Sequence, residues 1–207
     1  MIRHVHNFLK GMVKAMKKGL SEIIILYDDN ILCKFEQKKL LSACKSMLKS
    51  LKTDDNEINV TFLKFCDEIE IVTLNRPVEK LTFKNIGSKR NGARALIDCA
   101  SEAIINTGAR YAQQPEEEHP ENIIFLMTVS GQENASKRYT CQQLSDMLIH
   151  QTDVYKWEFF MLTDDVNNYK NIELNPENIV LFDSDDIISL KISAEKLIGM
   201  VAERLRK

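Results

Sequence analysis

The chain alternates between two hydrophobic rhythms. Ile23-Ile24-Ile25-Leu26-Tyr27 is a continuous apolar run that stops at Asp28-Asp29-Asn30. A run this short, apolar on both faces and closed by carboxylates, predicts a central strand over residues 22–28 that delivers acids to the rim of a parallel sheet, where α/β proteins keep their sites. Leu40, Leu41, Cys44, Met47, Leu48 and Leu51 then recur with a period near 3.6, predicting a helix over 36–52 that Thr53-Asp54-Asp55-Asn56 breaks. Two strand-like segments follow, 58–66 and 68–74. The turn between them is too short for a parallel crossover, so they must pair antiparallel.

A loop carrying Pro77, Gly87 and Gly92 leads to a helix expected over 93–107, with Leu96, Ala100, Ala103 and Ile104 along its inner face. Residues 113–120 read as a solvated connector. Residues 123–129 form a second fully apolar strand, ended by Ser130-Gly131. Thr140 and Gln143 have the spacing of a capping box, opening a helix that bears Leu144, Met147 and Leu148. Strands over 157–162 and 179–182 end in Thr163-Asp164-Asp165 and Asp183-Ser184-Asp185-Asp186, and an amphipathic helix over 190–206 closes the chain. This order predicts a doubly wound, mostly parallel α/β sheet of Rossmann-like type, with one antiparallel edge strand and helices on both faces.

Ahead of this pattern, Ile2, Val5, Phe8, Leu9, Met12, Val13, Met16 and Leu20 lie on one helical stripe. Residues 1–20 are therefore expected to be an amphipathic helix, added to a domain spanning 21–207. Such a helix packs on its domain, binds a partner or lies on a membrane surface.

Composition narrows the function classes. With 28% charged residues and a formal charge of −2, the chain lacks the basic bias of a nucleic-acid binder, so no nucleic-acid partner is expected. Five of the 28 bases and none of the 30 acids fall in residues 1–20, leaving the remainder distinctly acidic. Cys33, Cys44, Cys66, Cys99 and Cys141 show no close pairing, which suggests reduced thiols and a cytoplasmic setting. No apolar stretch approaches the ~20 residues needed to cross a bilayer. His4, His6, His119 and His150 sit in unrelated segments, without a cysteine at ligand spacing. Neither a glycine-rich phosphate loop nor a nucleophile elbow is present.

Three local patterns resemble the von Willebrand factor A domain, most closely its intracellular bacterial and phage form. They are Val60-Thr61-Phe62 with Phe65, Ala95-Leu96-Ile97-Asp98, and Gln132-Glu133-Asn134-Ala135-Ser136 followed by Tyr139-Thr140. The resemblance covers roughly residues 22–190. It implies the family's metal-ion-dependent adhesion site: D-x-S-x-S after the first strand, a threonine before the following helix and an aspartate after the fourth strand, a hard-oxygen set suited to magnesium.

Matched position by position, Asp28 keeps the first ligand, while Asn30 and Leu32 replace the serines, Arg94 the threonine and Ser130 the second aspartate. Leu32 offers no ligand atom, and Arg94 stays protonated and repels a divalent cation. Three arrangements are open at this stage. Arg94 takes the vacated place and pairs with Asp28; Arg94 points to solvent; or Asp28, Asn30 and Ser130 retain magnesium through waters.

The resulting expectation is a noncatalytic protein-interaction module with a degenerate metal site, no cofactor and an unidentified protein partner. The enzymatic alternative is a magnesium-dependent nuclease or phosphatase using rim carboxylates such as Asp29, Asp164 and Asp183, with Asp165, Asp185 and Asp186 nearby. Against it, aspartates at strand ends also form turns and cap helices. A phosphatase of the haloacid-dehalogenase type would need an aspartate where Asn30 stands.

Overall fold

A computed structural model describes residues 17–31, 34–53, 55–82 and 91–206, with the side chains of residues 34–40 and 43 excepted. The elements run β1 (Lys17–Asp28), α1 (Lys34–Ser50), β2 (Glu57–Phe65), β3 (Ile69–Pro77), α2 (Leu96–Ala112), β4 (Pro120–Val129), α3 (Cys141–Tyr155), β5 (Glu158–Thr163), β6 (Ile179–Leu181) and α4 (Ile187–Arg204). They form one six-stranded sheet in the order β3-β2-β1-β4-β5-β6. Every neighbouring pair is parallel except β2–β3. This is the doubly wound α/β architecture expected from the sequence.

Alternation along β1 explains why its run is apolar throughout. Ile23, Ile25 and Tyr27 face a core shared with Leu41 and Leu48 of α1 and Leu190, Leu197 and Val201 of α4. Ile24 and Leu26 face the opposite core, built with Leu96, Ala100 and Ile104 of α2 and Leu144 and Leu148 of α3. A strand covered on both sides cannot alternate polar with apolar.

Helix starts follow local chemistry. The capping box at Thr140 forms as expected: the Thr140 hydroxyl accepts from the Gln143 N–H, and the Gln143 side chain accepts from the Thr140 N–H. Asp186 caps α4 at Ile187, three residues ahead of the expected start. α2 begins at Leu96, later than expected, because the backbone from Gly92 to Ala95 is bonded outside the helix to Asn30, Asn134 and Cys66.

β1 begins at Lys17, so residues 17–20, expected to be helical, are strand. The contacts that hold it there are long-range: Lys17 donates to the His119 carbonyl, and Gly19 adopts φ +77° where a Cβ would come within 2.7 Å of the Asp55 carbonyl. The rest of the expected helix lies outside the described residues.

The β2–β3 pair carries two register shifts, between Val60 and Phe62 and between Phe62 and Leu63. Asn75, at φ 45°, sits within this irregular stretch, its N–H bonded to the Thr61 hydroxyl. Ile71 and Leu74 of β3 are exposed. Among the described residues, no helix is long and apolar enough to cross a membrane. Cys44, Cys66, Cys99 and Cys141 are free thiols, and Cys33 lies outside the described residues.

Candidate functional site

β1 ends at the rim on Asp28, whose residue is fully buried. Its side chain folds back over the turn that follows: Oδ1 accepts the Asn30 N–H at 2.8 Å and the Asn30 side-chain amide at 3.0 Å. Oδ2 accepts the Ser130 N–H and the Arg94 Nε–H, each at 3.2 Å. Each carboxylate oxygen thus receives two donors, which matches the roughly four lone-pair sites of an ionised aspartate. Burial pushes the Asp28 carboxyl above the ordinary aspartate range, and the bonds from Asn30 and Ser130 and the charge of Arg94 offset this only in part.

Three loops are joined by Asn30 and Asn134. The Asn30 amide donates to the Ala93 carbonyl at 2.9 Å, and its oxygen accepts the Gly92 N–H at 3.1 Å. Asn134 accepts the Arg94 N–H at 2.8 Å, donates its own N–H to the Arg94 carbonyl and donates its side-chain amide to Gly92. The backbone carrying Arg94 is therefore held from both sides. Its side chain, 21% exposed, lies over Gly131 and reaches Asp28.

The 132–136 pattern organises the start of α2. Glu133 accepts the Ile97 N–H with one oxygen and the Ala135 and Ser136 N–H groups with the other. Ser136 Oγ accepts the Asp98 N–H, and Asp98 accepts the N–H groups of Lys137, Arg138 and Tyr139. These contacts satisfy first-turn donors of the helix that would otherwise lack partners. Burial acts to raise the Asp98 carboxyl, but the three N–H donors and the Arg138 guanidinium outweigh it and hold the group below the usual range.

Asp29, Asp164, Asp165, Asp183 and Asp186 are engaged in structural contacts. Asp29 is buried, 3.6 Å from the buried ammonium of Lys64. Asp164 accepts the Gly131 N–H with both oxygens, while Tyr169 donates to the Gly131 carbonyl. Asp165 accepts from Asn167, Asp183 from Asp185 and Asp186 from Ile188. Among the described residues, no group of three or more His, Cys, Asp or Glu side chains is placed to hold a metal ion. Leu32 lies outside the described residues.

The centres of two buried charge clusters, Glu22 and Lys64, lie outside the residues that the sequence pattern singles out. Glu22, fully buried in β1, accepts from the Thr61 hydroxyl, the Tyr111 hydroxyl and Arg110, the last at 2.6 Å. Lys64 sits between Asp29 and Glu70. The available signal was a charged residue inside an otherwise apolar strand, which burial permits only with a partner.

No family model matches the chain, and no curated protein sequence matches it. Solved structures do. The proximal thread matrix protein 1 of the mussel byssus, described with a zinc-occupied MIDAS motif, aligns at TM-score 0.59 and 10% identity over 90% of this chain and 49% of its own. The ArnB paralog VWA2 from Sulfolobus acidocaldarius aligns at 0.51 and 14% over 88% and 46%, and the PilB minor pilin from Streptococcus sanguinis at 0.60 and 7% over 91% and 62%. The chain spans about half the length of the first two of these. Together with the strand order and the single antiparallel edge, these likenesses establish the fold as von Willebrand factor A-like.

Proposed function

We propose that the chain is a noncatalytic protein-interaction module whose rim works without a metal, the Arg94 guanidinium standing in place of the ion. The observation that carries this reading is the saturation of Asp28: both oxygens already take two donors. A divalent ion would have to displace Arg94 or strip backbone and amide donors from a buried carboxylate, and would meet a fixed positive charge on approach. Ser130 contributes its N–H to the site, where a metal would need an oxygen ligand. The finer placement, beside intracellular bacterial and phage members of the family, rests on the 132–136 pattern. The hydrolase alternative gains nothing from the rim aspartates, which serve as turn formers, caps and ion-pair partners.

The test is a titration of the intact protein with magnesium and manganese, followed by thermal unfolding. A bound ion present at 100 times its Kd adds about 2.7 kcal/mol to stability, a displacement readily seen in Tm. The expected result is no change beyond the effect of ionic strength. A saturable rise in Tm at low millimolar metal overturns the reading.

A further inference from the structure

At the opposite end of the sheet from Asp28, a cleft of about 470 Å³ opens between the end of α3, the start of β5 and the end of α4. Small-molecule sites occupy roughly 300–1,000 Å³ and combine an apolar lining with a few placed polar groups. Burial separates the inner part of this cleft from its mouth. Leu148, Trp157, Phe159 and Asn178 line it and are each less than one-tenth exposed, whereas Ile149, Asp153 and Glu173 are open to solvent.

Asn178 is the polar side chain of the inner part. Its Nδ2 donates to the Phe159 carbonyl at 3.0 Å, which turns that arm of the amide toward β5, while its Oδ1 has no partner among the described residues. Buried polar atoms in folded proteins are nearly always paired, so an orphan acceptor on a residue lining a cleft marks a place for a donor that a ligand brings. The buried rings of Trp157 and Phe159 suit an aromatic body, stacked or edge-on.

Charge at the mouth defines the other end of the ligand. Glu158 and Arg204 neutralise each other at 2.9 Å, and the Lys156 ammonium donates to the Asp153 carbonyl, which leaves the carboxylates of Asp153 and Glu173 against one lysine. The excess is negative and favours a cation.

We propose that this cleft binds a small aromatic amine. The ring lies against Trp157 and Phe159, a hydroxyl or N–H on the ring donates to Asn178 Oδ1, and the ammonium sits at the mouth near Asp153 and Glu173. The site shares no residue with the Asp28 rim.

The test adds tyramine to the full chain and follows binding by titration calorimetry. The expected result is saturable binding at micromolar to millimolar concentration. Phenethylamine, which lacks the ring hydroxyl, should bind about tenfold more weakly, and para-hydroxyphenylacetate, with a carboxylate in place of the ammonium, more weakly than tyramine. Ile149→Arg crowds the mouth and reverses its charge, and should abolish the heat of binding. Asn178→Leu, with its fold checked by circular dichroism, should bring tyramine down to the level of phenethylamine. If that variant fails to fold, the preference of the wild type for tyramine over phenethylamine decides the same point. The absence of saturable heat up to about 10 mM tyramine overturns the proposal. Binding that survives Ile149→Arg places the amine elsewhere and also overturns it. Equal affinity for tyramine and phenethylamine shows that Oδ1 receives no donor from the ligand, with the same consequence.

Discussion

Gly131 lies directly beneath the guanidinium of Arg94: a Cβ added at Gly131 would come 3.2 Å from Arg94 Cζ, and the residue holds φ +69°. The positive φ favours glycine through backbone strain, and an added Cβ would also press on the guanidinium. Gly131→Ala should therefore cost about 1–3 kcal/mol in urea unfolding. Gly108→Ala provides the contrast, since nothing lies within 4 Å of its Cβ position inside α2. That change should be neutral or stabilising by up to ~1 kcal/mol.

Arg94→Met removes the counter-charge of a buried carboxylate. Breaking a fully dry pair costs about 3–5 kcal/mol, and the partial exposure of Arg94 reduces the expected loss to roughly 1–3 kcal/mol. Equilibrium unfolding near neutral pH measures it. A loss below the error of the experiment would show that the pair contributes nothing.

Arg94→Thr restores a family-like residue at one position only. Ser130 still presents an N–H and Asn30 still donates to Asp28, so the variant should show no magnesium-dependent rise in Tm. Tight magnesium binding by this single variant would mean that the correspondence between these positions and the metal ligands is wrong.

How far the sequence reveals this molecule depends on the range of the interaction concerned. The run 23–27 identified the central strand because two-sided burial imposes an apolar pattern on consecutive residues, and the short 66–68 turn required the antiparallel edge. Thr140 and Gln143 were readable because a capping box is complete within four residues. The roles of Asn30 and Asn134 were not readable, because each links loops more than 35 residues apart. Arg94 marked a position where an ion would be repelled, but only the fold brings its Nε to Asp28. The role of Glu22 is not legible either, because its partners Thr61, Arg110 and Tyr111 come from distant segments.

Asp98 makes the acid limb of stability testable. Its folded carboxyl lies below the ordinary value, so its stabilisation is present above about pH 3.9 and is lost as pH falls through the folded value. Asp28, raised by burial, acts in the opposite sense, so the comparison must be between wild type and Asp98→Asn at each pH. The variant should be less stable than wild type near pH 6, with the gap closing as pH drops from about 5 toward 3. A gap independent of pH would assign the effect to packing alone.

Glu22→Gln tests the buried cluster remote from the rim. It leaves the partly exposed Arg110 facing a neutral amide and should destabilise by roughly 1–3 kcal/mol in chemical denaturation. The burial-raised Tyr111 hydroxyl loses an anionic neighbour in this variant, so its ionisation should move toward lower pH in ultraviolet titration. An unmoved tyrosine titration would show that the two groups are not coupled.

The uneven ladder between β2 and β3 has a bearing on how the molecule behaves in a crowd. A straight outer strand offers an unbroken comb of donors and acceptors onto which a neighbour can zip. Here the two slips in pairing and the left-handed Asn75 bend that comb out of line, so an incoming strand meets interruptions within a few residues. The exposed Ile71 and Leu74 thus lie on a strand whose broken register is a poor template for edge-to-edge pairing.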